Sequence, residues 1–247
     1  MTISLLAVHG NGGGGERFDW MTPHLPEDVH VMAPTLPGFG GTAADPTITD
    51  MAGYADFLAG RLEGLPSPVV ALGTGIGGSH VLEVLRDHDD LVDAVILHAP
   101  VGPRLDTRVI PRVMNKRPVA EIVRRGIATP LLRPLIRRRF FADSTPAERV
   151  DPVLAAYAEC QSFAQQFQII NAAWWDSLPQ RRTPAVVLWG AEEQVLAADM
   201  ADDVRAVLPE AEVRTIPAWD HFPMIDDPPE YARVVAEAIR DLVGEDR

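Results

Sequence analysis

Short apolar runs recur along the chain at Ile3 to Val8, Val29 to Ala33, Val69 to Leu72, Ala94 to Leu97 and Ala185 to Trp189, with a weaker alternating run at Val213 to Ile216. Their length and β-branched content predict buried strands. Between them the apolar spacing changes to that of helices, as at Ile76 to Leu85 and Pro229 to Val243. In the second, Tyr231, Val234, Val235, Ala238, Ile239 and Leu242 fall on one stripe, and Pro229 suits a first helical turn. Alternating strands and helices predict an α/β fold with a mostly parallel sheet and helices on both faces. The rhythm breaks between residues 103 and 182, which read as helical and punctuated by prolines. That stretch is expected to be a helical cap inserted into a core made of residues 1–102 and 183–247, and no internal repeat is evident.

A chain of 247 residues, 47% of them hydrophobic, can bury one substantial core. The opening residues hold no basic stretch and their apolar run is too short to cross a bilayer, so neither a signal peptide nor a membrane anchor is expected. A single cysteine, Cys160, excludes an internal disulfide and suits a cytoplasmic location. The net charge of −13 is unevenly spread: residues 104–149 carry twelve basic and four acidic side chains, net +8, leaving −21 for the rest. An acidic body argues against nucleic acid as a partner. The basic helical stretch reads either as a solvated face paired with an acidic neighbour or as an attractor of an anionic ligand.

The run Val69-Val-Ala-Leu-Gly-Thr-Gly-Ile-Gly-Gly78 reads as a strand, a glycine-rich turn and the start of a helix, the layout of a G-x-S-x-G nucleophile elbow. Gly75 stands where that motif has its serine. Four motifs together resemble those of the α/β-hydrolase fold. His9-Gly10-Asn11-Gly12 is similar to the oxyanion loop. Thr35-Leu-Pro-Gly-Phe-Gly-Gly-Thr42 resembles D-x-P-G-x-G-x-S, with Thr35 in place of the aspartate. Trp189-Gly-Ala-Glu-Glu193 matches the strand end that bears the family's acid, and Asp220-His-Phe-Pro223 its histidine. The resemblance implies that His221 is the imidazole, with Glu193 orienting it and Glu192 as a competing acid, and that the backbone N–H groups of Asn11 and Ile76 form the oxyanion site. It also implies that the antiparallel strands that often open this fold are absent here, because the first strand already precedes the oxyanion loop. His9, His80 and His98 are expected to be structural, with His98 at a strand end facing the expected pocket.

Glycine adopts a strained turn at little steric cost, so Gly75 keeps the elbow and deletes the hydroxyl. Strand alternation points Thr74 away from the site, and Ser79 lies one helical turn beyond it, so acyl-enzyme chemistry is not expected. Three readings remain open. One is an enzyme using His221 and Glu193 as a general base on water or on a substrate proton. Another is a ligand-binding protein without chemistry, and the third an inactivated serine hydrolase. Phe39, Trp174, Trp175, Phe222 and Met224 are the expected apolar lining of a pocket for a medium-sized organic molecule. Gly73, Gly75 and Gly78 match a dinucleotide spacing, but no ribose-binding acid ends the next strand. The glycines at 12 to 15 lack the lysine of a P-loop. No cofactor and no metal is implied.

Overall fold

The computed structural model describes residues 2–103 and 109–244. Six strands, β1 (Ile3–Val8), β2 (Val29–Met32), β3 (Val69–Thr74), β4 (Ala94–His98), β5 (Ala185–Gly190) and β6 (Glu212–Ile216), form one sheet in the order β2-β1-β3-β4-β5-β6. Every neighbouring pair is parallel. The four central strands are buried along their whole length, as near-continuous apolar runs require when both faces are covered. β3 and β4 run past the apolar stretches to Thr74 and His98, which pair in register with each other. Ladder hydrogen bonds carry a strand beyond the point where hydropathy stops marking it.

Helices α1 (Met51–Leu62) and α2 (Ile76–Asp87) flank β3 in sequence and pack on one another. Among the described residues six helices lie between β4 and β5: α3 (Val109–Met114), α4 (Arg117–Ile127), α5 (Arg133–Phe140), α6 (Ala147–Ala156), α7 (Phe163–Ile169) and α8 (Ala172–Asp176). After β5 come α9 (Ala201–Val204), α10 (Pro223–Asp226) and α11 (Pro228–Val243). The apolar stripe foreseen on α11 is buried, and the helix packs against β4 and β5. Its first turn is capped by the Asp227 side chain, which accepts from Glu230 N–H. No described helix is long and apolar enough to cross a membrane.

The order of strands turns back at β1, whose neighbours are β2 on one side and β3 on the other. In parallel sheets the crevice at the carboxyl ends of strands beside such a switch point is where ligands bind. Here those ends are Val8 and Thr74, which lead into the loops that begin at His9 and Gly75.

In the basic stretch, Arg104 and Arg108 lie outside the described residues. Of the others, Arg124 pairs with Glu121 and Arg133 with Asp151, both within the helical segment. Arg139 and Arg149 donate to the carbonyls of Gln194 and Ile225.

Candidate active site

The turn after β3 is set by three glycines with different tasks. Gly75 has φ +55° and ψ −119°, a conformation that L side chains rarely adopt, and its N–H donates to His98 O at 3.0 Å. A β-carbon on Gly73 would stand 2.6 Å from Gly77 O, and one on Gly77 would stand 2.2 Å from Val8 O. Only glycine therefore lets the first turn of α2 press against the ends of β1 and β3. At Gly75 itself there is room: a β-carbon would meet just Gly10 Cα, at 3.8 Å.

Glu193 and His221 are brought together by the close approach of two loops. Gly190, at the end of β5, lies so near Trp219 that a β-carbon would fall 2.3 Å from the Trp219 carbonyl oxygen, and Glu192 N–H donates to that oxygen. The result is a 2.7 Å contact between Glu193 Oε2 and His221 Nδ1. The other carboxylate oxygen accepts the N–H groups of Val195 and Leu196. Burial works against the Glu193 charge, but the imidazole and these hydrogen bonds outweigh it and hold the carboxyl below its ordinary range. Glu192, the competing acid, is exposed and faces no imidazole. The His221 ring lies against Phe140 and Phe222, and its Nε2 has no partner among the described residues.

Gly75, Asn11, Ile76 and His221 all open on one cavity of about 620 Å³. The N–H groups of Asn11 and Ile76 donate to no described residue. Apolar side chains of α4, α5 and α7, among them Ile127, Ile136 and Phe167, form much of the wall, together with Phe222 and Met224.

Three expected lining residues are elsewhere. Phe39 is wholly buried, edge-on to His9 in the loop after β1. Trp174 and Trp175 pack in α8 away from the cavity; the Trp174 indole donates to Glu83 on α2 at 2.7 Å. Thr74, expected to point away, is on the cavity wall, since the last strand residue is already turning into the elbow. Ser79 is buried and donates to Val101 O. Cys160 is buried too, and burial pushes its thiol up, which suits a core residue. No group of three or more His, Cys, Asp or Glu among the described residues is arranged to hold a metal ion.

The profile of the Alpha/beta hydrolase family matches residues 5–234, a span from β1 into α11. The chain belongs to the alpha/beta hydrolase family. A pimeloyl-[acyl-carrier protein] methyl ester esterase of Aromatoleum aromaticum is 25% identical over 256 residues, covering 96% of this chain and 98% of that one. Lipase 3 of a Moraxella species is 23% identical, covering 90% of this chain and 72% of its own. Among solved structures, a thermophilic esterase from Thermogutta terrifontis superposes with a TM-score of 0.73 at 21% identity, covering 98% of this chain and 91% of its own. An epoxide hydrolase, 15% identical, reaches 0.77 with 98% and 92% coverage. Both share the alpha/beta hydrolase fold.

Within this hydrolase fold, His98 stands in the wall at the end of β4, the strand end expected to face the pocket, while Arg17, Tyr157 and Gln166 are wall residues that the sequence did not mark. None belongs to a motif, and only the placement of distant segments around the cavity marks them.

Three buried histidines also make the fold sensitive to acid. Burial pulls His9 and His98 down to about 3 and His80 to about 4, so all three stay neutral while the unfolded chain, with values near 6.5, takes up protons. His9 is further fixed by Leu36 N–H, which donates to its Nε2. Burial moves Asp226 the other way, up to about 6, which offsets one of the three in the same pH window. Below pH 6.5 the unfolded state then binds a net of roughly two more protons, so stability is full above that pH and falls by about 3 kcal/mol per unit towards pH 4. Urea midpoints should drop steeply between pH 7 and pH 5. Equal midpoints at the two pH values would rule this account out.

Proposed function

We propose that the protein hydrolyses a medium-sized, largely apolar carbonyl compound by direct attack of water, with His221 as general base and without an acyl-enzyme. The observation that carries this reading is the 2.7 Å contact of Glu193 with His221, on the same cavity wall as a turn that has no side chain. The space at Gly75 accommodates a water molecule in place of a serine hydroxyl. His221 Nε2 takes a proton from that water as its oxygen bonds to the carbonyl carbon, and Glu193 stabilises the imidazolium. The N–H groups of Asn11 and Ile76 are the nearest donors for the oxyanion, and the imidazolium returns its proton to the leaving group. The cavity volume is in the range of small-molecule sites. The esterase and lipase relatives favour a carbonyl substrate over the other chemistry open to the same base, removal of a proton from substrate carbon.

The test is a panel of p-nitrophenyl esters from acetate to decanoate, with intact mass spectrometry during turnover and after treatment with a fluorophosphonate. Turnover without an acyl or phosphonyl adduct is expected. A stoichiometric adduct at Thr74 or Ser79 would return the protein to covalent catalysis. Tight binding of apolar ligands without turnover of any ester would favour a binding protein.

A further inference from the structure

Arg17 follows the glycine run after β1 and is 3% exposed, yet no carboxylate among the described residues pairs with it. Its Nε and Nη2 are shielded from water and donate to nothing. Buried guanidinium groups ordinarily have a counter-charge and satisfied donors, because removing an ion from water is expensive. Phe222, with its ring centroid at 4.8 Å, and Tyr157, with its ring at 5.8 Å and its hydroxyl within hydrogen-bonding reach of the guanidinium, orient the group and recover only part of that cost.

The surrounding loop is shaped to receive it. A β-carbon on Gly13 would stand 2.1 Å from Arg17 Nε, and one on Gly12 would stand 2.1 Å from the Tyr157 ring. The glycines at 12 and 13 thus give the guanidinium and its neighbouring ring room to lie directly on the main chain. Arg17 is part of the cavity wall, and its Nη1 approaches Gly10, the residue that also faces the open space at Gly75. Among the described lining residues there are two arginines, two histidines and no Asp or Glu. Glu193 stands behind His221 with both oxygens engaged. An anion entering the cavity therefore meets a buried positive charge and no lining carboxylate, although the protein as a whole is acidic.

We infer that Arg17 is a binding residue for a carboxylate on the ligand, held close to the reacting bond at Gly75 while the apolar remainder extends between the insertion helices. A carboxylate is favoured over phosphate because a single guanidinium matches its one charge and its planar oxygens. As a statement about substrate, a carboxylic acid with a hydrolysable group nearby, the inference rests on the proposed hydrolase reading. As a statement about binding it does not.

The experiment uses straight-chain carboxylates from hexanoate to dodecanoate, their primary amides and the corresponding alkyl phosphates, titrated calorimetrically at neutral pH into wild type, Arg17→Gln and Arg17→Lys. The carboxylates are expected to bind wild type at least about tenfold more tightly than the amides, corresponding to about 1.4 kcal/mol. Arg17→Gln should abolish the preference and Arg17→Lys should keep part of it. Amides binding as well as acids, a preference that survives in Arg17→Gln, or failure of every acid to bind overturns the inference, as does a stronger Arg17-dependent preference for the phosphates. The wild-type comparison needs no variant, so a folding defect leaves the test intact. Arg17→Met adds a second reading: without ligand its melting temperature should equal or exceed that of wild type, because an uncompensated charge has been removed, whereas a lower value would assign Arg17 to the fold alone. Acid-selective binding without turnover of any substrate would keep the inference and reject the hydrolase reading. Turnover without acid selectivity would do the reverse.

Discussion

Gly75→Ser is expected to confer esterase activity through an acyl-enzyme, together with stoichiometric labelling by fluorophosphonates. The new β-carbon has room, with Gly10 Cα at 3.8 Å as its nearest neighbour outside the adjoining residues. The backbone opposes it: φ +55° is strained for any L residue, at a cost of about 1–3 kcal/mol. That cost lowers the melting temperature without blocking the fold, because the glycines at 73 and 77 still let α2 pack against β1 and β3. The serine hydroxyl would complete a constellation whose histidine and acid are already 2.7 Å apart. One oxyanion donor is commonly worth ~10²- to 10³-fold, so two aligned N–H groups should bring the hydrolysis of p-nitrophenyl esters well above the wild-type rate. The readouts are a pre-steady-state burst and a phosphonyl adduct at position 75. A folded Gly75→Ser protein with neither would mean that His221 or the donors do not converge on the turn, and the catalytic reading would fall with it.

His221→Ala is expected to reduce turnover by the wild-type protein by ~10²- to 10⁴-fold, the usual contribution of a positioned general base. Glu193→Gln should do less, at least about tenfold. It keeps the acceptor for Val195 and Leu196 N–H but loses the charge that stabilises the imidazolium. Glu193 is held below the ordinary carboxylate range, so the wild-type protein keeps that charge at neutral pH. Steady-state kinetics at neutral pH on all three proteins would check this, with circular dichroism to exclude unfolding. Undiminished kcat in His221→Ala removes the case for a general base.

Much of the fold was legible because its signals are local. Six apolar runs mark six strands, and the shift to helical spacing at Ile76 and again near Pro229 marks α2 and α11. Spacing also favoured Glu193 over Glu192, and the structure turns Glu193 toward His221 while leaving Glu192 in solvent. Alternation misled at Thr74, because the last residue of a strand entering a positive-φ turn no longer follows the two-residue period. The lining was only half legible. Phe222 and Met224 adjoin the histidine loop and reach the cavity, whereas Phe39, Trp174 and Trp175 are apolar in the same way but are buried against other segments.

By itself the sequence determined the parallel α/β architecture, the strained glycine turn at position 75 and the pairing of an acid with His221. The first two follow from residue periodicity and backbone freedom, and the third from the resemblance of the loops after β5 and β6 to those of the hydrolase fold. Only the tertiary structure decided which side chains enclose the cavity and that Arg17 stands in its wall without a counter-charge. Those facts depend on how α4, α5 and α7 sit over the ends of β1, β3 and β4. Hydrophobicity drives a side chain out of water without specifying which neighbour receives it, and an arginine in a glycine-rich loop carries no local mark of being buried.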